Sequence, residues 1–395
     1  MSSDGLFFTE VKMNYLLLLG IYFVVNLYCI LRTKSLLNQF KWANKILNWC
    51  ILVVYSITML LPILGAFLPK TLGLYTFQKY GNIFFGFFAY YEMILALGEI
   101  VLLIGKKHRQ VVGKLLLCVA VSASVGLNVY GMYHAQDTKL TSYTVRTNTN
   151  QNKKLKIVLL GDLHLSVNSN INMTKNMVKM VNAQKADMVL IAGDIFTSSY
   201  DGLKNPELYA KALRKMKSSY GTYVVYGNHD VDETLFSGFS LDNPSVALRP
   251  KSMEEFMAAS NFHLLGDKVK TFDDLGIQIV GRLDGKKNGK GSKERMSAKT
   301  LLKKTNINYT QIVLEHEPLE FKQLSKNGAD LVLCGHTHNG QIFPGNLFVG
   351  FFNENAYGYK EIYGMPTVVT SGVGYYGPPL RVGTDSEVVA LNVEY

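Results

Sequence analysis

Apolar residues are distributed along this chain in two ways. Over 13–31, 46–68, 83–105 and 115–134 they run almost unbroken, long enough for each run to cross a bilayer as a helix. Beyond residue 138 the apolar runs shorten to strand length, are rich in Val, Ile and Leu, and alternate with helical spacing. That alternation predicts an α/β fold. The polar stretch between the two parts reads as a linker. The expected organisation is a four-helix transmembrane domain over 1–134, a linker over 135–153 and a soluble domain over 154–395.

Local signals place some of the soluble elements. Asn205-Pro206-Glu207 opens a helix with an N-cap, a proline and a first-turn acid, and Gly221 stops it after Lys215 and Lys217. Ser252 and Glu255 form a capping box. Met173, Met177, Met180 and Val181 keep helical spacing and read as core. Strands near 276–281, 366–370 and 387–393 suggest a second sheet packed on the first.

Five of the short runs end in loops that carry potential metal ligands. They are KIVLL-Gly161-Asp162-Leu163-His164, DMVLIA-Gly193-Asp194, YVVY-Gly227-Asn228-His229-Asp230, QIVLE-His316 and DLVLC-Gly335-His336-Thr337-His338. Ligands of open α/β sheets gather outside the carboxyl ends of the strands, so the pattern would bring these side chains to one edge of one sheet. Each signal is weak alone, since Gly-Asn-His-Asp could be a turn and His-Thr-His two surface imidazoles. In this order they describe a two-metal hydrolytic centre. Mixed carboxylate, amide and imidazole donors suit Mn²⁺, Fe²⁺ or Zn²⁺. A pair of such ions lowers the pKa of a shared water and clamps phosphoryl oxygens during in-line displacement.

From about Lys154 onward the chain closely resembles the calcineurin-like metallophosphoesterases. The tail TSGVGYYGPPLRVGTDSE, ending at Glu387, is similar to their membrane-anchored bacterial branch. The resemblance implies a four-layer α/β/β/α sandwich. It also implies that Asp162, His164 and His338 hold one divalent ion, that Asn228, His316 and His336 hold the other, and that Asp194 bridges them. A metal-bridging hydroxide would attack phosphorus. His229 would protonate the leaving oxygen or stabilise charge on phosphate, with Asp230 fixing its tautomer. Asn228, His229 and Arg381 would face substrate. Relatives of that branch include enzymes acting on lipid-linked pyrophosphates, so the implied substrate is a phosphate ester or pyrophosphate of a lipid-linked or envelope molecule. One departure is visible: many relatives read Gly-Asp-x-x-Asp in the second motif, and Thr197 stands in the last place here.

Charge adds a membrane orientation. The net charge is +11, and residues 1–138 hold 11 Lys and Arg against 5 Asp and Glu. Arg32, Lys34, Lys41 and Lys45 crowd one inter-helix loop, and Lys106, Lys107, Arg109 and Lys114 another. Positive-inside counting puts both loops in the cytoplasm and the C-terminal domain on the extracytoplasmic side. Lys153, Lys154 and Lys156 pull the other way, in a long domain where that rule weakens. No nucleic-acid motif accompanies the positive charge. Of four cysteines only Cys334 lies in the soluble part, where it reads as a core thiol.

Other features carry two readings each. Glu92 and Glu99 share one face of the third span and read either as a bundle-facing pair or as a transport or lipid-binding site. Gly285–Arg295, with five Lys and Arg, reads as a solvated tip or as a contact for anionic headgroups. Residues 342–352, IFPGNLFVGFF, read as a lid filling its own core or as apolar surface for a lipid. His263 reads as a satisfied core histidine, and Asp284 as a turn residue or a support for the site. The competing functional readings are a membrane receptor with a non-catalytic metal-binding domain, and a transporter with an accessory one.

Overall fold

The long apolar runs fold as helices, the form that satisfies every backbone donor and acceptor within the segment. They are α1 (Ser3–Leu37), α2 (Lys45–Thr58), α3 (Leu61–Phe67), α4 (Leu74–Ile104) and α5 (Arg109–His134). The molecule is seen in a computed structural model that describes residues 3–41, 44–149, 151–241, 248–287, 289 and 294–395. Leu16–Leu37, Lys45–Phe67, Leu74–Ile104 and Lys106–His134 are each long and apolar enough to cross a membrane. The second of these is broken between α2 and α3, where Pro62 sits in the first turn of α3 and has no N–H to continue the ladder.

The chain divides into two compact units. The helical unit runs to Met132 and also takes in Thr234–Asn243 and Gly377–Pro379, two segments of later sequence that the expected boundary at residue 134 left out. Within this unit the Phe236 ring lies edge-on to Tyr22, with centroids 5.0 Å apart. Glu99 is ion-paired with Arg32 of α1 and accepts a hydrogen bond from the Tyr28 hydroxyl at 3.1 Å. An arginine of a neighbouring helix is therefore the partner of one of the two carboxylates on α4.

The other unit carries the alternating pattern. In chain order its elements are β1 (Lys139–Arg146), β2 (Lys154–Leu160), α6 (Ile171–Ala183), β3 (Met188–Ala192), α7 (Pro206–Leu213) and β4 (Thr222–Val225). The short strands β5 (Leu235–Phe236) and β6 (Phe239–Ser240) lie in the segment that groups with the helices. Next come α8 (Lys251–Ala259), β7 (Phe262–Leu264), β8 (Lys268–Phe272), β9 (Ile277–Gly281), α9 (Ala298–Leu302) and β10 (Thr310–Leu314). The chain ends with α10 (Phe321–Lys326), β11 (Leu331–Cys334), α11 (Gly345–Phe348), β12 (Gly358–Ile362), β13 (Met365–Val369) and β14 (Glu387–Glu394).

Two six-stranded sheets result, ordered β1-β14-β2-β3-β4-β7 and β12-β13-β11-β10-β9-β8. Ile157, Leu159, Leu190, Ile279, Ile312, Leu333 and Leu391 pack together between them. Met177, Val181, Leu213 and Phe256 of α6, α7 and α8 cover the outer face of the first sheet, and Leu301 and Leu324 of α9 and α10 cover that of the second. This is the expected four-layer α/β/β/α sandwich. Met173, Met177 and Val181 are buried as their spacing suggested, and Cys334 is a buried core thiol.

Several local expectations are corrected. Residues 139–146, assigned to the linker, form β1, which pairs in parallel with β14. The run 387–393, assigned to the second sheet, lies in the first, antiparallel to β2. Ser252 is not a cap: α8 starts one residue earlier, after Pro250, and has no side-chain cap. His263 is exposed on β7, its ring 5.2 Å from that of Tyr223.

Candidate metal centre

The five ligand-bearing loops follow β2, β3, β4, β10 and β11. The first three strands are mutually parallel in one sheet, and the last two are parallel in the other. The loops therefore meet across the seam of two sheets rather than along one edge. The Asp162 carboxylate reaches across that seam and accepts the His336 N–H at 3.0 Å, while Asp162 N donates to Gly193 O at 3.0 Å within the first sheet.

At the meeting point the side chains fall into two groups. His164 Nε2 and His338 Nε2 stand 2.9 Å apart, with Asp162 Oδ1 3.8 Å from the latter. Asn228 Oδ1 lies 3.0 Å from His316 Nε2 and 3.0 Å from His336 Nδ1. Asp194 Oδ2 sits between the groups, 3.6 Å from His164 Nε2 and 3.1 Å from His316 Nε2. Asp162, His164 and His338 form one cluster able to hold a metal ion; Asp162, Asp194 and His316 form another.

The donor set fits divalent cations on two counts. Imidazole nitrogens converge on one another and on carboxylates, an arrangement that a cation stabilises. Burial drives Asp162 up to about 7, with Asp194 adding to the rise. Burial would raise Asp194 too, but His316, His229 and His164 hold it well below the carboxylate range. His316 is pushed well above an ordinary histidine: burial opposes the rise, and Asp194 and Asp162 outweigh it. Positive charge is thus favoured between the carboxylates. The second count is backbone strain. Asp162, His164, Asp194, His336 and His338 all have positive φ, between 47° and 76°. Such conformations cost on the order of 1–3 kcal/mol each and persist where the surroundings over-determine them, commonly at functional sites.

Close approach explains two of the glycines. Gly193 itself has a left-handed φ of 80°, and a Cβ there would lie 2.7 Å from His316 Nδ1. A Cβ on Gly227 would come within 2.2 Å of Asp194 Oδ1.

The ring nitrogens turned away from the cluster are held in place. His316 Nδ1 donates to the Ala192 carbonyl at 2.7 Å, so Nε2, 3.1 Å from Asp194 Oδ2, is the nitrogen available to a metal ion. Thr197 Oγ1 lies 2.9 Å from His164 Nδ1. The residue that departs from the common motif therefore braces His164 through a hydroxyl rather than a carboxylate. Glu317 Oε1 lies 3.5 Å from His336 Nε2 and accepts from Lys286 at 2.6 Å.

The remaining expected residues are placed as follows. His229 faces the cluster, its ring centroid 5.8 Å from that of His164. Asp230 does not touch the His229 ring; its carboxylate accepts the N–H groups of Phe196 at 2.9 Å and Gly227 at 2.8 Å. Arg381 is fully buried. Its guanidinium donates to the carbonyls of Ser371 at 2.6 Å and Gly374 at 2.7 Å and lies 3.2 Å from His338 Nδ1. It thus clamps the 371–374 loop to the His338 turn and is not open to a substrate. Asp284 takes the turn role, accepting from the N–H groups of Lys286 and Lys287.

Two groups at the site were not foreseen. The Tyr376 ring stacks on His229 at 4.3 Å and lies 5.2 Å from His164. Its backbone is fixed by Gln341, which accepts from Tyr376 N at 2.8 Å and donates to Tyr376 O at 2.9 Å. Glu233 lies 2.7 Å from His229 Nδ1. Of the basic run 285–295, Asn288 and residues 290–293 lie outside the described residues. Lys287 from that run is buried against Glu233, and Arg295 pairs with Glu315 at 2.7 Å. The described part is therefore anchored to buried carboxylates.

Known proteins are similar to this part of the chain. Residues 155–340 match the family model for calcineurin-like phosphoesterases. An uncharacterized metallophosphoesterase of Campylobacter jejuni is 32% identical over 247 residues, 62% of this chain and 60% of that protein. A bovine transmembrane protein with a metallophosphoesterase domain is 30% identical over 285 residues, 69% of this chain and 61% of that protein. An uncharacterized metallophosphoesterase of Aquifex aeolicus is 27% identical over 97% of its length. The match thus spans about three fifths of the first two relatives. The loops that gather the candidate donors lie wholly within the matched span, so the similarity to calcineurin-like phosphoesterases covers the whole donor cluster.

Proposed function

We propose that this protein is a membrane-anchored hydrolase of phosphate esters or pyrophosphates that works with two divalent metal ions, and that its substrate is lipid-linked or otherwise held at the cell envelope. The observation that carries this reading is the convergence of seven donor residues from five strand ends, five of them in strained backbone. Asp162, His164 and His338 would hold one ion and Asn228, His316 and His336 the other, with Asp194 shared. Ions bound there would lower the pKa of water and offset charge on the phosphoryl oxygens. His229 is placed to give a proton to the leaving oxygen. Asn228 can donate its amide N–H to phosphate while its oxygen faces the metal. Tyr376 covers the imidazoles of His229 and His164 and limits water at the reacting centre.

Two observations support a substrate at the membrane. The domain follows spans long enough to cross a bilayer, and only four residues separate the end of α5 from the start of β1. The 342–352 lobe that leaves the His336/His338 loop is exposed apolar surface rather than a self-filling lid. Phe351 is 79% and Phe352 84% exposed, with Leu347 and Phe348 beside them. Positive-inside counting supports an extracytoplasmic domain with both four-charge loops in the cytoplasm. Ile307→Cys, at a fully exposed position of the domain, should then react in whole cells with a membrane-impermeant maleimide.

The deciding experiment screens the full-length, detergent-solubilised, Mn²⁺-loaded protein against aryl phosphates, nucleotides and lipid phosphates in mixed micelles. Turnover that depends on Mn²⁺ and is lost in Asp194→Asn is expected, with lipid phosphates preferred over their soluble headgroups. Full activity in Asp194→Asn would defeat the mechanism. A preference for soluble headgroups would defeat the membrane substrate while leaving the chemistry standing.

A further inference from the structure

A histidine that donates a proton must present one chosen nitrogen to the substrate, so its other nitrogen needs a fixed partner. Asp230 is not that partner, because both its oxygens are occupied by backbone N–H groups. The Nδ1 of His229 instead meets Glu233 Oε1 at 2.7 Å, one helical spacing further along the chain. The Glu233 side chain is completely buried. The Ser198 hydroxyl donates to the same Oε1 at 2.9 Å, and the buried Lys287 ammonium is paired with Oε2. Burial alone would raise this carboxyl, but the contacts with His229 and Lys287 hold it down to about 2. The acceptor that faces Nδ1 is therefore held in its charged form.

We propose that Glu233, fixed by Lys287 and Ser198, is the positioning residue for His229: it accepts the Nδ1 proton and leaves Nε2 as the nitrogen that serves the leaving oxygen. The inference deepens the phosphoesterase reading and rests on it. A buried Lys–Glu pair is a poor source of stability, since apolar replacements of such pairs are often neutral or better. This pair spends one carboxylate oxygen on the single imidazole of the cluster that is not a metal ligand. Tyr376 stacks on that ring at 4.3 Å, so both the plane and the tautomer of His229 are set. The basic run that reads as a solvated tip supplies Lys287, which accounts for one of its charges being buried.

The test exploits leaving groups. On the full-length protein with Mn²⁺, kcat is measured for phenyl, p-nitrophenyl and 2,4-dinitrophenyl phosphate. Proton donation matters most where the leaving alkoxide is most basic. Glu233→Ala should lower kcat for phenyl phosphate about 10–100-fold, less than the roughly 10²–10⁴-fold of a lost general acid because His229 itself remains, while 2,4-dinitrophenyl phosphate changes little and KM stays near its original value. Glu233→Gln keeps an acceptor oxygen and should recover part of the loss, and Lys287→Met should show the same leaving-group pattern more weakly. If Glu233→Ala does not fold, as read by circular dichroism, Glu233→Gln and Lys287→Met carry the test. An equal loss on all three esters, or no loss, overturns the positioning role. A wild-type protein inactive on every ester would instead defeat the phosphoesterase reading itself.

Discussion

The two halves of the ligand cluster use similar donors but are anchored in different ways. Around Asp162, His164 and His338 the side chains are between 0% and 9% exposed. Their outward contacts are a threonine hydroxyl and a buried arginine tied to backbone carbonyls. In the half formed by Asn228, His316 and His336, the His336 side chain is 29% exposed. It leans on Glu317, which is held by Lys286 at the root of the basic run. One half is closed and braced by the fold; the other opens to solvent and is braced by a surface loop. An ion in the closed half should exchange slowly, and the proposed phosphate substrate should enter by the open half.

That contrast is broken most directly by deleting one imidazole from each half. His338→Ala and His336→Ala should each lower kcat about 10²–10³-fold, since the proposed two-metal hydrolysis needs both ions. Their metal contents should differ. His336→Ala should keep about one ion per chain through gel filtration, measured by elemental analysis of the purified protein, because the closed half is intact. His338→Ala should keep less, having lost a buried ligand that also abuts the clamp of Arg381. Equal metal content in the two variants would mean that burial does not set retention here.

Chelation of the unmodified protein sharpens the same point without mutation. Removal of metal by excess EDTA should be biphasic, with activity lost in the fast phase as the open half empties. Single-phase release would make the two halves equivalent and the exposure of His336 irrelevant to exchange.

The uneven anchoring also explains what could be read from the sequence. Every proposed ligand follows its strand within a few residues, so a short apolar run and the polar tip after it carry the information together. Glu317, Glu233 and Tyr376 act through contacts with residues elsewhere in the fold. The Tyr376 ring reaches His229 from a loop nearly 150 positions later, and no local pattern marks such a meeting. Glu233 had a signal in principle, since an acid four residues after a histidine is a common pairing, but the adjacent Asp230 masked it. Strand β1 was hidden for another reason. As an edge strand with mostly exposed side chains it is polar enough to read as a linker, and its pairing with β14 joins segments almost 250 residues apart.

A gentler break replaces the braces rather than the ligands. Supporting contacts of metal-bound histidines are worth about 10–100-fold in metal affinity. Glu317→Gln should therefore weaken Mn²⁺ at the open half, and Thr197→Ala at the closed half, when affinities are followed by competition with a fluorescent chelator. The Thr197 effect should be the smaller, because burial and the Asp162 and Asp194 carboxylates still hold His164 in place. The opposite ranking would assign the closed half's stability to its hydroxyl brace rather than to its enclosure.

The smallest effect concerns the metal-free protein, and it follows from Asp162, the carboxylate proposed as a ligand of the closed half. Asp162 is lifted to about 7, mainly by burial, whereas the open half has the neutral Asn228 at the equivalent place. A carboxyl whose folded-state pKa lies above its unfolded value stabilises the fold when protonated. That contribution is complete below about pH 4 and is lost as pH rises through about 7. In EDTA, raising the pH from 6.5 to 8 should therefore lower the melting temperature of the wild-type protein by a few degrees more than that of Asp162→Asn. Asn228→Ala should retain the wild-type slope, since no ionisable group has been removed. Added Mn²⁺ should reverse the slope in the wild type, because the ionised carboxylate is then the form that the fold binds. If Asp162→Asn and Asn228→Ala behave alike, the two halves do not differ in charge as their ligands imply, and the pH response has to come from the histidines they share.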